Sequence, residues 1–113
     1  MASAQLANTK WKGYINDNGQ VPVVWIFKKN TVDVISLPDS SVMESMTFKA
    51  ASGFLFITKL SGMSNCDSST VGKYSYRVEK DSLFLKPVDD ACTQRSDATS
   101  EDALIKIKKK GIL

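Results

Sequence analysis

Apolar and polar residues alternate along most of this chain, and short polar punctuation interrupts the alternation. Thr9 to Ile15 sets the pattern: Thr9, Trp11, Gly13 and Ile15 fall on one face of an extended strand, and Lys10, Lys12 and Tyr14 on the other. Asp17-Asn18-Gly19-Gln20 follows, where Asn-Gly supplies the positive φ angles of a tight hairpin turn. Val21 to Phe27 predicts the next strand, with Pro22 near its start suiting an edge or first position. Lys28-Lys29-Asn30 turns the chain into a strand over Thr31 to Ser36, and Leu37-Pro38-Asp39-Ser40 reads as a loop. Residues 41–49 admit two readings. Val42, Met46 and Phe48 alternate as in a strand, whereas Asp39-Ser40-Ser41 suits the cap of a short helix holding Met43 and Met46. The strand is the expectation. Ala51-Ser52-Gly53 turns into a strand over Phe54 to Lys59, and residues 61–70 form a loop. Gly72 to Val78 puts Tyr74, Tyr76 and Val78 on one face and Lys73, Ser75 and Arg77 on the other. Glu79-Lys80-Asp81 turns into Leu83 to Val88. Residues 89–102 are a polar stretch with one helical turn expected near Asp97–Asp102, and Ala103 to Lys109 is the last strand.

About eight short strands joined by short turns favour sequential antiparallel pairing, and closing such a meander removes its exposed edges. The expected fold is all-β, a small eight-stranded antiparallel up-and-down barrel, with a five-stranded OB-like barrel second. The 113 residues suffice for one domain with one core. Residues 1–8 read as a flexible leader and 9–110 as the barrel domain.

Composition narrows the chemistry. The chain has no histidine, which removes the commonest general base, the Ser-His and Cys-His nucleophile pairs and the commonest transition-metal ligand. A binding module is expected rather than an enzyme, with no cofactor and no metal. The net charge of +3 is concentrated in Lys106, Lys108, Lys109 and Lys110. That cluster suits an anionic partner, but Ile105 and Ile107 alternate with the lysines as in an edge strand protected from pairing, and the edge strand is preferred. No apolar run is long enough to span a membrane.

Two cysteines allow one pairing. Cys66 and Cys92 sit in polar loops flanking the same two strands, at the same end of that hairpin. Free structural cysteines prefer apolar burial, so a disulfide is expected, worth roughly 3 kcal/mol by loop entropy, and with it an oxidising compartment. Met1-Ala2-Ser3-Ala4-Gln5 lacks the regions of a signal peptide. The expected location, secreted, periplasmic or at the outer surface, therefore presumes a signal or lipoprotein leader that this sequence does not include.

The opening Leu6…Asn8-Thr9-Lys10-Trp11-Lys12-Gly13 resembles the first strand of lipocalin-like barrels, where a Gly-x-Trp lays the Trp across the barrel floor; here Thr9 replaces the Gly. Lipocalins also stack a late Arg on that Trp, and the last strand here offers Lys106 and Lys108 instead. A second stretch, Gly62…Cys66-Asp67…Gly72-Lys73-Tyr74…Leu83-Phe84-Leu85…Asp89-Asp90-x-Cys92-x-x-Arg95, is similar to short secreted lipocalin-like proteins of Bacteroidetes. The resemblance implies a barrel, export and a disulfide, and no particular ligand.

Candidate sites follow. Trp11, Trp25, Phe27, Phe48, Phe54, Phe56, Tyr74 and Tyr76 either fill the barrel or line a cavity; the chain's small size favours a filled core, with a small pocket at Trp11, Trp25, Tyr74 and Tyr76 as the alternative. With a filled core, function moves to the loops. Gly62-Met63-Ser64-Asn65, tethered at Cys66, presents one apolar anchor and suits insertion into a protein partner such as a secreted protease, with the leader as a second inserting segment. A small apolar ligand carried in the barrel is the alternative. Nucleic-acid binding would need an OB-like face with Phe54 and Phe56, and is the least favoured reading. Asp89-Asp90 with Arg95 is expected to be structural, and Asp97, Glu101 and Asp102 lack the spacing of a calcium loop.

Overall fold

The computed structural model describes residues 6–99 and 102–108. Its strands are β1 (Thr9–Asn16), β2 (Gln20–Phe27), β3 (Thr31–Ser36), β4 (Val42–Ala51), β5 (Phe54–Gly62), β6 (Gly72–Glu79), β7 (Ser82–Asp89) and β8 (Leu104–Lys106), with helix α1 (Thr93–Ala98) before the last. Each strand pairs antiparallel with the next, and β8 returns to β1, closing an eight-stranded up-and-down barrel. The OB-like alternative is thereby excluded; Phe54 and Phe56, offered for a nucleic-acid face, point outward, and Leu55 and Ile57 fill the interior.

Local chemistry accounts for the turns. In the three-residue β1–β2 connection, Asp17 to Gly19, Asn18 and Gly19 both take positive φ (54° and 114°), a conformation that Asn and Gly adopt at little cost in tight hairpin turns. Residues 42–51 form a strand, because Met46 and Phe48 bury inward at period two. A register shift in the β3–β4 pairing, opposite Val34 and Ile35, also brings Met43 against the core.

The interior is one contiguous cluster running from Leu6 and Trp11 through Phe27, Leu55 and Tyr74 to Leu104. Filling of the core by these side chains matches the sequence expectation. Leu6, in the segment read as a leader, is fully buried in it. Trp11 and Trp25 are paired across β1 and β2. The Thr9 hydroxyl accepts the Trp11 Nε1–H at 2.7 Å and itself donates to the Leu6 carbonyl. Lys106 holds its Nζ 5.9 Å from the Trp11 ring centroid, at the outer limit of a cation–π contact.

Two expectations about the last third are corrected. The helical turn lies at Thr93–Ala98, ahead of the predicted Asp97–Asp102. Its position follows from Cys92, Arg95 and the chain's return to β1, which are tertiary constraints. The last strand is only Leu104–Lys106, and the Lys109 and Lys110 assigned to the basic cluster lie outside the described residues. Gly13 makes this short closure possible, because a Cβ there would run into Leu104 Cδ2. Toward the other end of β1, Ile15 bridges to Thr99, and Asn16 Nδ2 donates to the Asp97 carbonyl at 3.3 Å. The helix segment thus fills the seam that β8 is too short to close.

The two ends of the barrel differ. One carries the tight turns β2–β3, β4–β5 and β6–β7 and the buried Leu6. The other, the mouth, carries the longer β3–β4, β5–β6 and β7–β8 connections, the helix and the disulfide.

Candidate functional site at the mouth of the barrel

Helix α1 is short and has no side-chain cap at its start. Tertiary bonds through Arg95, which is 7% exposed, hold it in place. Arg95 Nε donates to Asp90 Oδ2 (2.6 Å), and Nη2 donates to Asp90 Oδ1 (2.8 Å) and to the Thr70 carbonyl (3.0 Å). Tyr74 Oη donates to Asp90 Oδ2 (2.5 Å), and the Cys92 N–H donates to Asp90 Oδ1 (2.9 Å). Gly72 leaves room for the pair: a Cβ there would meet Asp90 Oδ2 and Arg95 Nη2. Burial pushes the Asp90 carboxyl up, but the bonds from Arg95, Tyr74 and Cys92 outweigh it and hold the group below the usual carboxylate range. Burial, then the bond and charge of Asp90, push the Tyr74 phenol far up. The structural role expected for Asp89-Asp90 with Arg95 takes the form of an Asp90–Arg95 ion pair, while Asp89 is exposed.

The loop Gly62–Asn65 is anchored on every side. Gly62 has φ +136°, and a Cβ there would strike the Glu44 side chain and the Met43 carbonyl. The Met63 N–H donates to the Met43 carbonyl at 2.9 Å. The Ser64 hydroxyl and N–H both donate to Glu44, and Lys59 Nζ donates to the Ser64 carbonyl. The Asn65 N–H donates to Gln94 Oε1 at 2.8 Å. The expected disulfide Cys66–Cys92 is formed, with Cα atoms 5.4 Å apart, and joins this loop to the start of α1. Met63 is the apolar side chain that the pinned loop exposes, 75% accessible.

Between this loop, α1 and the end of β1 lies a cavity of about 110 Å³ opening at the mouth. Its apolar wall comes from Ile15, Trp25, Val34, Met43, Met46 and Met63. Glu44, Ser64, Gln94, Arg95 and Thr99 supply polar groups. Of the four aromatics offered as a pocket, Trp25 lines this cavity; Trp11, Tyr74 and Tyr76 sit in the packed interior. Of the loop residues, Met63 and Ser64 line it. Sequence reasoning missed Glu44 and the methionines as a wall. Glu44 shares the inward parity of Met46 and Phe48, which was a usable signal; that α1 folds back over β1 had none.

Two residues lining the cavity carry a buried donor without a partner, Trp25 at Nε1 and Arg95 at Nη1. Other buried N–H groups nearby are satisfied, Trp11 by Thr9 and the rest of Arg95 by Asp90 and Thr70. No trio of His, Cys, Asp or Glu able to hold a metal occurs among the described residues, and no helix among them is long and apolar enough to cross a membrane. Compared with known proteins, the chain matches no family model, no curated protein and no solved structure.

Proposed function

We propose that this protein is a non-enzymatic binding module that receives a small, largely apolar molecule at the mouth of its barrel. The carrying observation is the 110 Å³ cavity, walled by apolar side chains and held open by the disulfide-pinned loop and α1. Binding sites for small molecules are typically concave, mostly apolar and pre-formed, with a few placed polar groups. The size fits a group of about five or six non-hydrogen atoms, since an apolar cavity of about 150 Å³ accepts benzene. Asp90 accepts from both Tyr74 and Arg95, so the buried carboxylate is held in a fixed pair rather than facing the cavity as a base, which favours binding over catalysis. Lys106 beside Trp11 adds to the lipocalin-like resemblance of the opening strand. The disulfide supports residence in an oxidising compartment, as for a secreted, periplasmic or surface protein.

The test is a screen of small apolar compounds followed by the methyl resonances of Met43, Met46 and Met63. Saturable shifts in these, abolished by Ala98→Phe, which fills the mouth, are expected. Shifts that survive Ala98→Phe place binding elsewhere and reject the reading.

A second reading has its own support. Met63, exposed on a loop anchored by Glu44, Gln94 and Cys92, is preorganised for insertion into a protein partner, with a secreted protease as its sharpest form. Leu6 is buried at the opposite end of the barrel, and residues 1–5 of the leader, offered as a second inserting segment, lie outside the described residues, so the loop is what supports this reading. Incubation with secreted proteases should then yield a complex that Met63→Ala weakens at least about tenfold; equal affinity of the variant rejects it.

A further inference from the structure

We infer that the mouth cavity is built for molecules carrying one neutral oxygen acceptor, a ketone, ester or amide carbonyl, held by Trp25 Nε1–H and Arg95 Nη1–H. The inference rests on the small-ligand reading above and names its chemistry. Buried donors without acceptors are rare in folded chains because their lost hydration is not replaced. Here there are two, on residues lining one cavity, and both are available only as donors. The contrast within the molecule is direct. Trp11 lies opposite Trp25 in the β1–β2 register and has its indole N–H capped by Thr9, while Trp25 has none. Arg95 engages Nε and Nη2 and leaves Nη1 over.

Charge decides between a neutral and an anionic acceptor. The Arg95 charge is already matched by Asp90 in a bidentate pair, and the cavity wall adds the carboxylates Glu44 and Asp17. The surroundings are therefore net negative, which disfavours a carboxylate or phosphate head, while a cation offers nothing for either donor. A neutral carbonyl satisfies both N–H groups through its two lone pairs and adds no charge. Both nitrogens are covered, but Met43, Met46 and Met63 share the wall, and unbranched thioether chains re-pack to admit a ligand.

The experiment compares three probes of six non-hydrogen atoms each by ¹H–¹⁵N spectra of the two indoles and methyl spectra of the methionines. Cyclopentanone carries the acceptor, methylenecyclopentane replaces it with CH₂ in the same shape, and butyrate carries a charge. Cyclopentanone should move the Trp25 Nε1–H resonance downfield saturably and leave that of Trp11 in place. It should bind at least about twofold tighter than methylenecyclopentane, and Trp25→Phe should reduce that difference by the factor of about two to twelve that one neutral hydrogen bond supplies, leaving the Arg95 share, while methylenecyclopentane binding persists. Equal binding of the two with a stationary Trp25 indole overturns the inference and leaves the small-ligand reading intact. Tightest binding by the carboxylate overturns the neutral head. A long-lived water on Trp25 Nε1 that cyclopentanone fails to displace overturns it too. No saturable methyl shift with any probe overturns the small-ligand reading and the inference together.

Discussion

Asp90 and Arg95 carry more of the mouth than any other pair of side chains, because both are buried and charged and each is the other's main partner. Removing one partner of such a pair costs far more than the pair contributes, since it strands a buried charge. Asp90→Asn is expected to lower stability at pH 7 by about 3–5 kcal/mol, read from urea denaturation. The pH dependence has a definite sign. The folded pKa of Asp90 is depressed, so its contribution is fully present above the unfolded value of about 3.9 and is lost as pH falls through the lower folded value. The gap between wild type and Asp90→Asn should accordingly narrow below about pH 4; a constant gap would show that the carboxylate is not the source. Gly62 is a second sensitive residue. Its φ of +136° is closed to side chains, and a Cβ would collide with Glu44. Gly62→Ala should cost about 1–3 kcal/mol from backbone strain alone, seen as a lower thermal midpoint.

Two connections decide how the elements behave. The disulfide ties the β5–β6 loop to α1, and breaking it with Cys66→Ser plus Cys92→Ser should remove roughly 3 kcal/mol of stability. Amide exchange should rise over residues 63–71 and 92–99 while β1 to β4 remain protected; uniform loss of protection would mean that the tie stabilises the barrel globally. The seam between β7 and β1 is the other weak point, since β8 offers three residues and Leu104 is its one buried side chain. Leu104→Ala should cost about 2–5 kcal/mol, measured by denaturation. At this level the sequence was readable where side chains alternate. Thr9 to Ile15 and Gly72 to Val78 showed their inward faces directly, and Asn18-Gly19 marked its turn. It was least readable from 89 to 102, where no periodicity exists and helix placement follows from contacts with β1, Thr70 and Cys66.

For the molecule as a whole, the barrel separates stability from recognition. Side chains pack the interior, so the barrel stands without a ligand, and the mouth is free to vary. Met63→Ala should leave stability unchanged within about 0.5 kcal/mol, because the side chain is 75% exposed, whatever it does to binding. A larger loss would assign Met63 to the packing of the mouth.

Alternation at period two, turn chemistry and the count of strands were enough to specify a closed antiparallel barrel with a filled core, because those features act between neighbours in sequence and across adjacent strands. The cysteine pairing was also legible, since only two cysteines exist and both flank one hairpin. The binding end was not. Trp11 and Trp25 have the same sequence character, and only folding gave one indole the Thr9 hydroxyl and left the other, beside the mouth cavity, with its N–H buried and unpartnered. Glu44, Met63, Arg95 and Trp25 come from distant points of the chain and meet through barrel closure, a long-range constraint that no local pattern encodes.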